Sequence, residues 1–109
     1  MYTEEEQKVV NKIEKQLKEN NIILYMKGSP NFPQCGFSAH AAAALKSCGK
    51  PFAFVNVLEN PDIRAVLPKY ADWPTFPQLW VKGELIGGCD IIMEMHETGE
   101  LKELINSVE

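Results

Sequence analysis

Three of the 109 residues carry a thiol, and only Cys35 stands where its neighbours argue for an activated sulfur. It follows an apolar run and a polar, proline-bearing loop, and it opens a stretch of helical spacing. A cysteine at a helix N-terminus gains from unpaired backbone N–H groups and from the positive end of the helix dipole, both of which favour the thiolate. Lys27, at the end of the preceding apolar run, adds a second positive influence. Such a sulfur suits nucleophilic attack or metal ligation. In Cys35-Gly36-Phe37-Ser38 the place for the second sulfur of a Cys-x-x-Cys pair holds a hydroxyl, which cannot resolve a mixed disulfide. Cys48 lies further along the same expected helix, about 20 Å away at the helical rise, too far for a disulfide, so its expected role is core packing. Cys89 follows Gly87-Gly88 and begins the last helix. It can approach Cys35, or serve only through its backbone N–H, and its thiol stays unassigned. His40 and His96 have no partners at ligand spacing and suit solvated helix positions.

The elements that must position these residues follow from periodicity and caps. Thr3 and Glu6 form a capping-box signature, and Val9, Ile13 and Leu17 recur at helical spacing up to Asn20-Asn21. Ile22 to Met26 is continuously apolar and short, which predicts a strand buried on both faces. Gly28, Pro30 and Pro33 make Lys27 to Gln34 a loop, and helical spacing resumes through Phe37, Ala41, Ala44, Leu45 and Cys48 until Gly49. Phe52 to Val57 predicts a second strand. Asn60-Pro61 predicts an N-cap and first helical residue, opening a helix through Ile63, Val66 and Leu67 that Pro68 is expected to break or kink. Gln78 to Val81 and Glu84 to Gly88 flank Lys82-Gly83, the spacing of a tight hairpin. Asp90 is expected to cap a closing helix that Gly99 punctuates and that buries Leu101, Leu104, Ile105 and Val108. The order is helix, strand, helix, strand, helix, strand, strand, helix, with a right-handed parallel crossover first and a hairpin last. This is an α/β chain with the plan of the thioredoxin fold, a four-stranded mixed sheet flanked by helices. Ligands of open sheets gather beyond the carboxyl ends of the strands, where Lys27 and Cys35 would meet.

Composition narrows the function classes. With 45% hydrophobic and 24% charged residues, the chain suits one domain over residues 1–109, burying about two-thirds of its unfolded surface. A formal net charge of -4 argues against a phosphate-backbone footprint and therefore against nucleic acid. No apolar run approaches the roughly 20 residues that span a bilayer, and the start of the chain is acidic rather than a basic signal. An odd, sparse set of cysteines fits a reducing compartment, so a cytoplasmic protein without a membrane partner is expected. Repeats and low-complexity tracts are absent.

Four segments together carry a family resemblance: Cys35-Gly36-Phe37-Ser38, Lys27-Gly28-Ser29-Pro30, Trp73-Pro74-Thr75-Phe76-Pro77-Gln78 and Gly87-Gly88-Cys89-Asp90. In this order and spacing the chain resembles the single-domain monothiol glutaredoxins. That resemblance implies a thioredoxin fold, glutathione binding, and a 2Fe-2S cluster bridging a homodimer and delivered to acceptor proteins, often with a BolA-type partner. Cys35 would be both the reactive thiol and the cluster ligand. Lys27 and Arg64 resemble the family's contacts to the glycine-end carboxylate of glutathione, with Lys69 a weaker candidate of the same kind. Phe76-Pro77 resembles a cis-proline turn that frees the Phe76 backbone to pair with an extended peptide. The N–H groups of Cys89 and Asp90 suit the remaining carboxylate, and the Asp90 side chain suits the ligand's amine. Met93, Met95, Trp73 and Trp80 suit core or rim.

Two functions use this set. A 2Fe-2S centre usually takes four thiolates, so one well-placed cysteine from each of two chains plus two glutathiones supplies them, as a cluster carrier requires. An oxidoreductase removing glutathione from protein mixed disulfides needs Cys35 alone. The thiol by itself does not separate the two, and the resemblance favours the carrier.

Overall fold

In the computed structural model, which describes residues 1–109, a central strand organises everything else. The elements run α1 (Glu4–Glu19), β1 (Ile22–Met26), α2 (Gly36–Ser47), β2 (Ala53–Asn56), α3 (Pro61–Ala71), β3 (Gln78–Val81), β4 (Glu84–Gly87), α4 (Cys89–Thr98) and α5 (Glu100–Asn106). The sheet order is β2-β1-β3-β4; β1 pairs parallel with β2 and antiparallel with β3, and β3 pairs antiparallel with β4. All five residues of β1 are buried, as an unbroken apolar run requires of a strand covered on both faces. Its side chains alternate. Ile22, Leu24 and Met26 join α2, α4 and α5 in one core, whereas Ile23 and Tyr25 join α1 and α3 in the other. Each large side chain so buried contributes about 1.5–3 kcal/mol.

The Thr3–Glu6 capping box forms, with the Glu6 N–H donating to the Thr3 hydroxyl and the Thr3 N–H to the Glu6 carboxylate. The buried stripe of α1 is Val10, Ile13 and Leu17; Ile13 and Leu17 are buried as expected, whereas Val10 takes the first place and Val9 is half-buried. Lys82 and Gly83 both have positive φ, 51° and 78°, the twist that a two-residue antiparallel hairpin demands.

Two expectations are corrected, for Pro68 and Asp90, and that for Asn60-Pro61 holds in position. Pro68 does not break α3, which continues to Ala71. The missing N–H is tolerated because Ile63, Val66 and Leu67 anchor the helix in the core, and the Pro68 carbonyl accepts from the Trp73 N–H at the helix end. Asn60 occupies the N-cap of α3, but its side chain donates to the Asn56 carbonyl instead of capping. Asp90 is not a cap either: Gly88 holds that place in α4, and Asp90 lies inside the first turn. The closing helix is divided by Gly99, whose φ of 86° ends α4 and starts α5. Leu101, Ile105 and Val108 are buried as expected, with Leu104 half-buried. No helix is long and apolar enough to cross a membrane.

Candidate functional site

Beyond the carboxyl end of β1, the chain turns into a loop that brings a cation and a thiol together. Gly28, at φ 93°, makes the turn; a Cβ there would lie 2.5 Å from the Phe32 oxygen and 2.6 Å from the Gln34 nitrogen. The Gly28 N–H donates to the Asn56 side chain at 2.9 Å, and the Gln34 N–H to the Lys27 carbonyl at 2.9 Å. The loop is thus tied at its base to β2 and closed upon itself before it delivers Cys35 to the N-cap of α2.

Cys35 is half-buried, and its thiol is held below the ordinary value. The largest cause is the Ser38 backbone N–H; partial burial opposes it, and the Phe37 N–H, the Ser38 hydroxyl and the Lys27 charge reinforce it. No capping hydrogen bond to the sulfur is formed, so these groups favour the thiolate by facing its charge rather than by holding a neutral thiol. Ser38 is fully buried, and its Oγ accepts the Lys27 backbone N–H at 3.0 Å. The hydroxyl that replaces a second sulfur therefore joins the end of β1 to the first turn of α2, beside Cys35.

A second wall comes from the turn before β3. Gln78 is fully buried and donates to the Trp73 and Thr75 carbonyls at 3.0 and 3.3 Å, while its oxygen accepts from the Trp80 indole. The Phe76–Pro77 peptide bond is cis. A third wall is the start of α4, where Gly88 packs so closely on Trp73 that a Cβ would lie 3.2 Å from the indole nitrogen. That nitrogen, Trp73 Nε1, is buried without a hydrogen-bond partner.

These walls enclose a cleft of about 700 Å³, and Lys27, Cys35, Arg64, Phe76, Cys89 and Asp90 all line it. Residues from five separate stretches of sequence are brought to one place. Lys69 is not among them: its ammonium donates to the Met1 carbonyl and to Glu6 and lies over the Tyr2 ring, which clasps α3 to the start of α1. It directly follows the cleft-lining Pro68, and the turn of the helix carries it to the α1 side. Phe37, counted by its spacing among core positions, is 63% exposed and lines the cleft from the first turn of α2. Trp73, Thr75 and Ile91 also line it. Helical periodicity does not distinguish such first-turn or turn residues from core, although Trp73 and Thr75 lie in one of the recognised segments.

The other thiols differ in kind. Burial pushes Cys48 up, and it packs in the core beneath α2. Cys89 is pushed up by partial burial first, then by the charge of Asp90 and by the Cys35 sulfur facing it across the cleft. No three histidine, cysteine, aspartate or glutamate side chains converge as a group that could hold a metal ion. His40 and His96 are exposed, and Trp80 is buried in the core.

The glutaredoxin family profile matches residues 22–86, from β1 to the hairpin. Glutaredoxin 4 of Escherichia coli (strain K12) is 66% identical over 96 residues, covering 88% of this chain and 84% of the relative. Among solved structures, reduced apo GrxS14 of poplar superposes with a TM-score of 0.77 at 44% identity, covering 91% of each chain. A buckwheat glutaredoxin solved with glutathione superposes at 0.83 over 98% of this chain and 96% of its own, at 21% identity, a likeness of fold. With one activated thiol in a Cys-Gly-Phe-Ser turn, and this similarity over most of its length, the chain belongs to the glutaredoxins, on their monothiol, glutaredoxin 4 branch.

Proposed function

We propose that this protein binds glutathione in the cleft beside Cys35 and, as a pair of chains, carries a 2Fe-2S cluster to acceptor proteins. The observation that carries this reading is the donor set: one thiolate favoured by helix-start N–H groups, a hydroxyl where a resolving sulfur would stand, and a cationic cleft beside it. Lys27 and Arg64 are suited to a carboxylate of an extended tripeptide, the Phe76 backbone to its main chain, and the first N–H groups of α4 at Cys89 and Asp90 to its second carboxylate. A ligand so oriented places its own thiol beside Cys35. One chain then offers two sulfurs, and two chains offer the four that a 2Fe-2S cargo takes. The cluster, once held, is cargo for transfer to acceptors, with a BolA-type protein as the expected partner.

The test is anaerobic reconstitution with iron, sulfide and glutathione, followed by visible absorption and sedimentation. Colour and dimer are expected together and only with glutathione, because assembly and ligand stabilise the same form. Cys35→Ser should abolish both, and Cys48→Ser should retain both. A stable loaded monomer, or full loading after removal of every small thiol, would overturn the shared-ligand reading.

The lowered Cys35 also supports a second activity. The thiolate attacks the glutathione sulfur of a protein mixed disulfide and the client leaves as its thiol; a second glutathione then releases glutathione disulfide and restores Cys35. Ser38→Cys should add a dithiol route, since it restores a Cys-x-x-Cys spacing.

A further inference from the structure

On the outer side of the Lys27–Gln34 loop lies a second groove, of about 600 Å³, which the cleft chemistry does not use. Its floor is β2, an edge strand with no neighbour on its outer side. Phe52, just before that strand, and Phe54 within it are two residues apart on extended chain and share a face, but only Phe52 reaches the core that α2 covers. Phe54 is left 44% exposed, and Phe32 stands opposite on the loop at 75%. Two aromatic rings facing solvent beside an unpaired strand edge form an unprotected surface.

The charges of the groove identify what fits it. Its only charged side chains are Lys46 and Lys50, in a chain whose net charge is -4. Lys46 donates to the Pro30 carbonyl at 2.8 Å and to the Asn31 side chain at 2.9 Å, which braces the loop and keeps a positive charge at its wall. Lys50 makes no hydrogen bond or ion pair within the chain, and Lys102 lies near enough to act on Cys48 at the same end of α2. A second copy is a poor occupant, because a two-fold contact would set lysine-bearing groove against lysine-bearing groove.

We propose that this groove docks an extended, acidic segment of a client protein, paired to the edge of β2, with an aromatic side chain seated between Phe32 and Phe54 and carboxylates at Lys46 and Lys50. Main-chain pairing to an edge strand supplies affinity, and the alternate side-chain pockets supply selection. The docked segment would rest on the outer wall of the loop whose far end presents Cys35, which brings the client to the thiol without occupying the cleft. This inference does not depend on which cargo or disulfide the cleft handles.

The probes are an acetylated heptapeptide of alternating glutamate and phenylalanine, the same peptide with lysine for glutamate, and the same with alanine for phenylalanine. Each is titrated into the 15N-labelled protein saturated with glutathione. Amide shifts should gather at Gly49, Lys50, Phe54 and Phe32 with the first peptide alone. Lys50→Glu should weaken that binding about tenfold or more and transfer preference to the lysine peptide. Phe54→Thr should weaken it similarly, and Lys15→Glu, on the far side of the sheet in α1, should not. Retained melting temperature reports folding of each variant. Equal binding of the lysine peptide, shifts confined to other surfaces, or a Phe54-dependent dimer in sedimentation of the peptide-free protein would each overturn the proposal.

Discussion

Ser38→Ala separates a hydroxyl that merely replaces a sulfur from one that builds the site. In the folded protein this side chain is fully buried and accepts the Lys27 backbone N–H at 3.0 Å. Removing it strands that donor, which costs about 1–3 kcal/mol. Alanine's better helix propensity returns about 0.5 kcal/mol, so the net loss is about 0.5–2.5 kcal/mol. For a chain of this length that lowers Tm by about 2–15 °C. The same change removes one of the groups that favour the Cys35 thiolate, while the Ser38 and Phe37 backbone N–H groups remain. Iodoacetamide alkylation followed against pH should therefore titrate at a higher pH than in the parent protein, yet still below an ordinary thiol. Linkage adds a third readout. Cys35 titrates lower folded than unfolded, so its contribution to stability is present above the unfolded value and is lost as pH falls through the folded one. The Tm difference between parent and variant should accordingly widen as pH rises through the two folded values and stay level from the ordinary thiol range upward. Ser47→Ala is the control, because its hydroxyl donates to the Ala44 carbonyl on the exposed end of the same helix and should matter by about 0.5 kcal/mol at most. An unchanged Tm together with an unchanged alkylation profile in Ser38→Ala would refute the reasoning.

Gly28→Ala should destabilise by about 2–4 kcal/mol and slow Cys35 alkylation, because its Cβ would meet backbone atoms of Phe32 and Gln34 that have no free rotation to escape it; urea unfolding showing under about 1 kcal/mol would mean that the loop yields. Cys48 is pushed up by burial, so the folded state holds its proton more tightly, and that stabilisation is full below the unfolded value and lost as pH rises through the folded one. Urea midpoints between neutral and alkaline pH should consequently fall more steeply for the parent than for Cys48→Ala, and parallel curves would contradict the assignment.

What the sequence determined by itself was local or repetitive. The continuous apolar run Ile22–Met26 could only be a covered strand, Thr3 and Glu6 could cap α1 with no distant partner, and Lys82-Gly83 could close a hairpin because two adjacent left-handed residues suffice. That the Cys35 thiol is held below the ordinary value was legible for the same reason: a loop ending at a helix start is a short-range pattern, and the largest cause is an N–H group three residues on. Tertiary structure decided the rest. Arg64 and Lys69 are alike in type and lie on one helix, and only the packing of α3 against α1 turns Lys69 to Glu6 and Tyr2 while Arg64 faces the cleft. Pro68 reads as a helix breaker until the burial of Ile63, Val66 and Leu67 is counted, because propensity is a local cost and burial a long-range gain. Phe37 and Phe54 carry core-like spacing yet face solvent, since whether an apolar face is covered depends on which element the fold lays over it, and no periodicity within one segment records that.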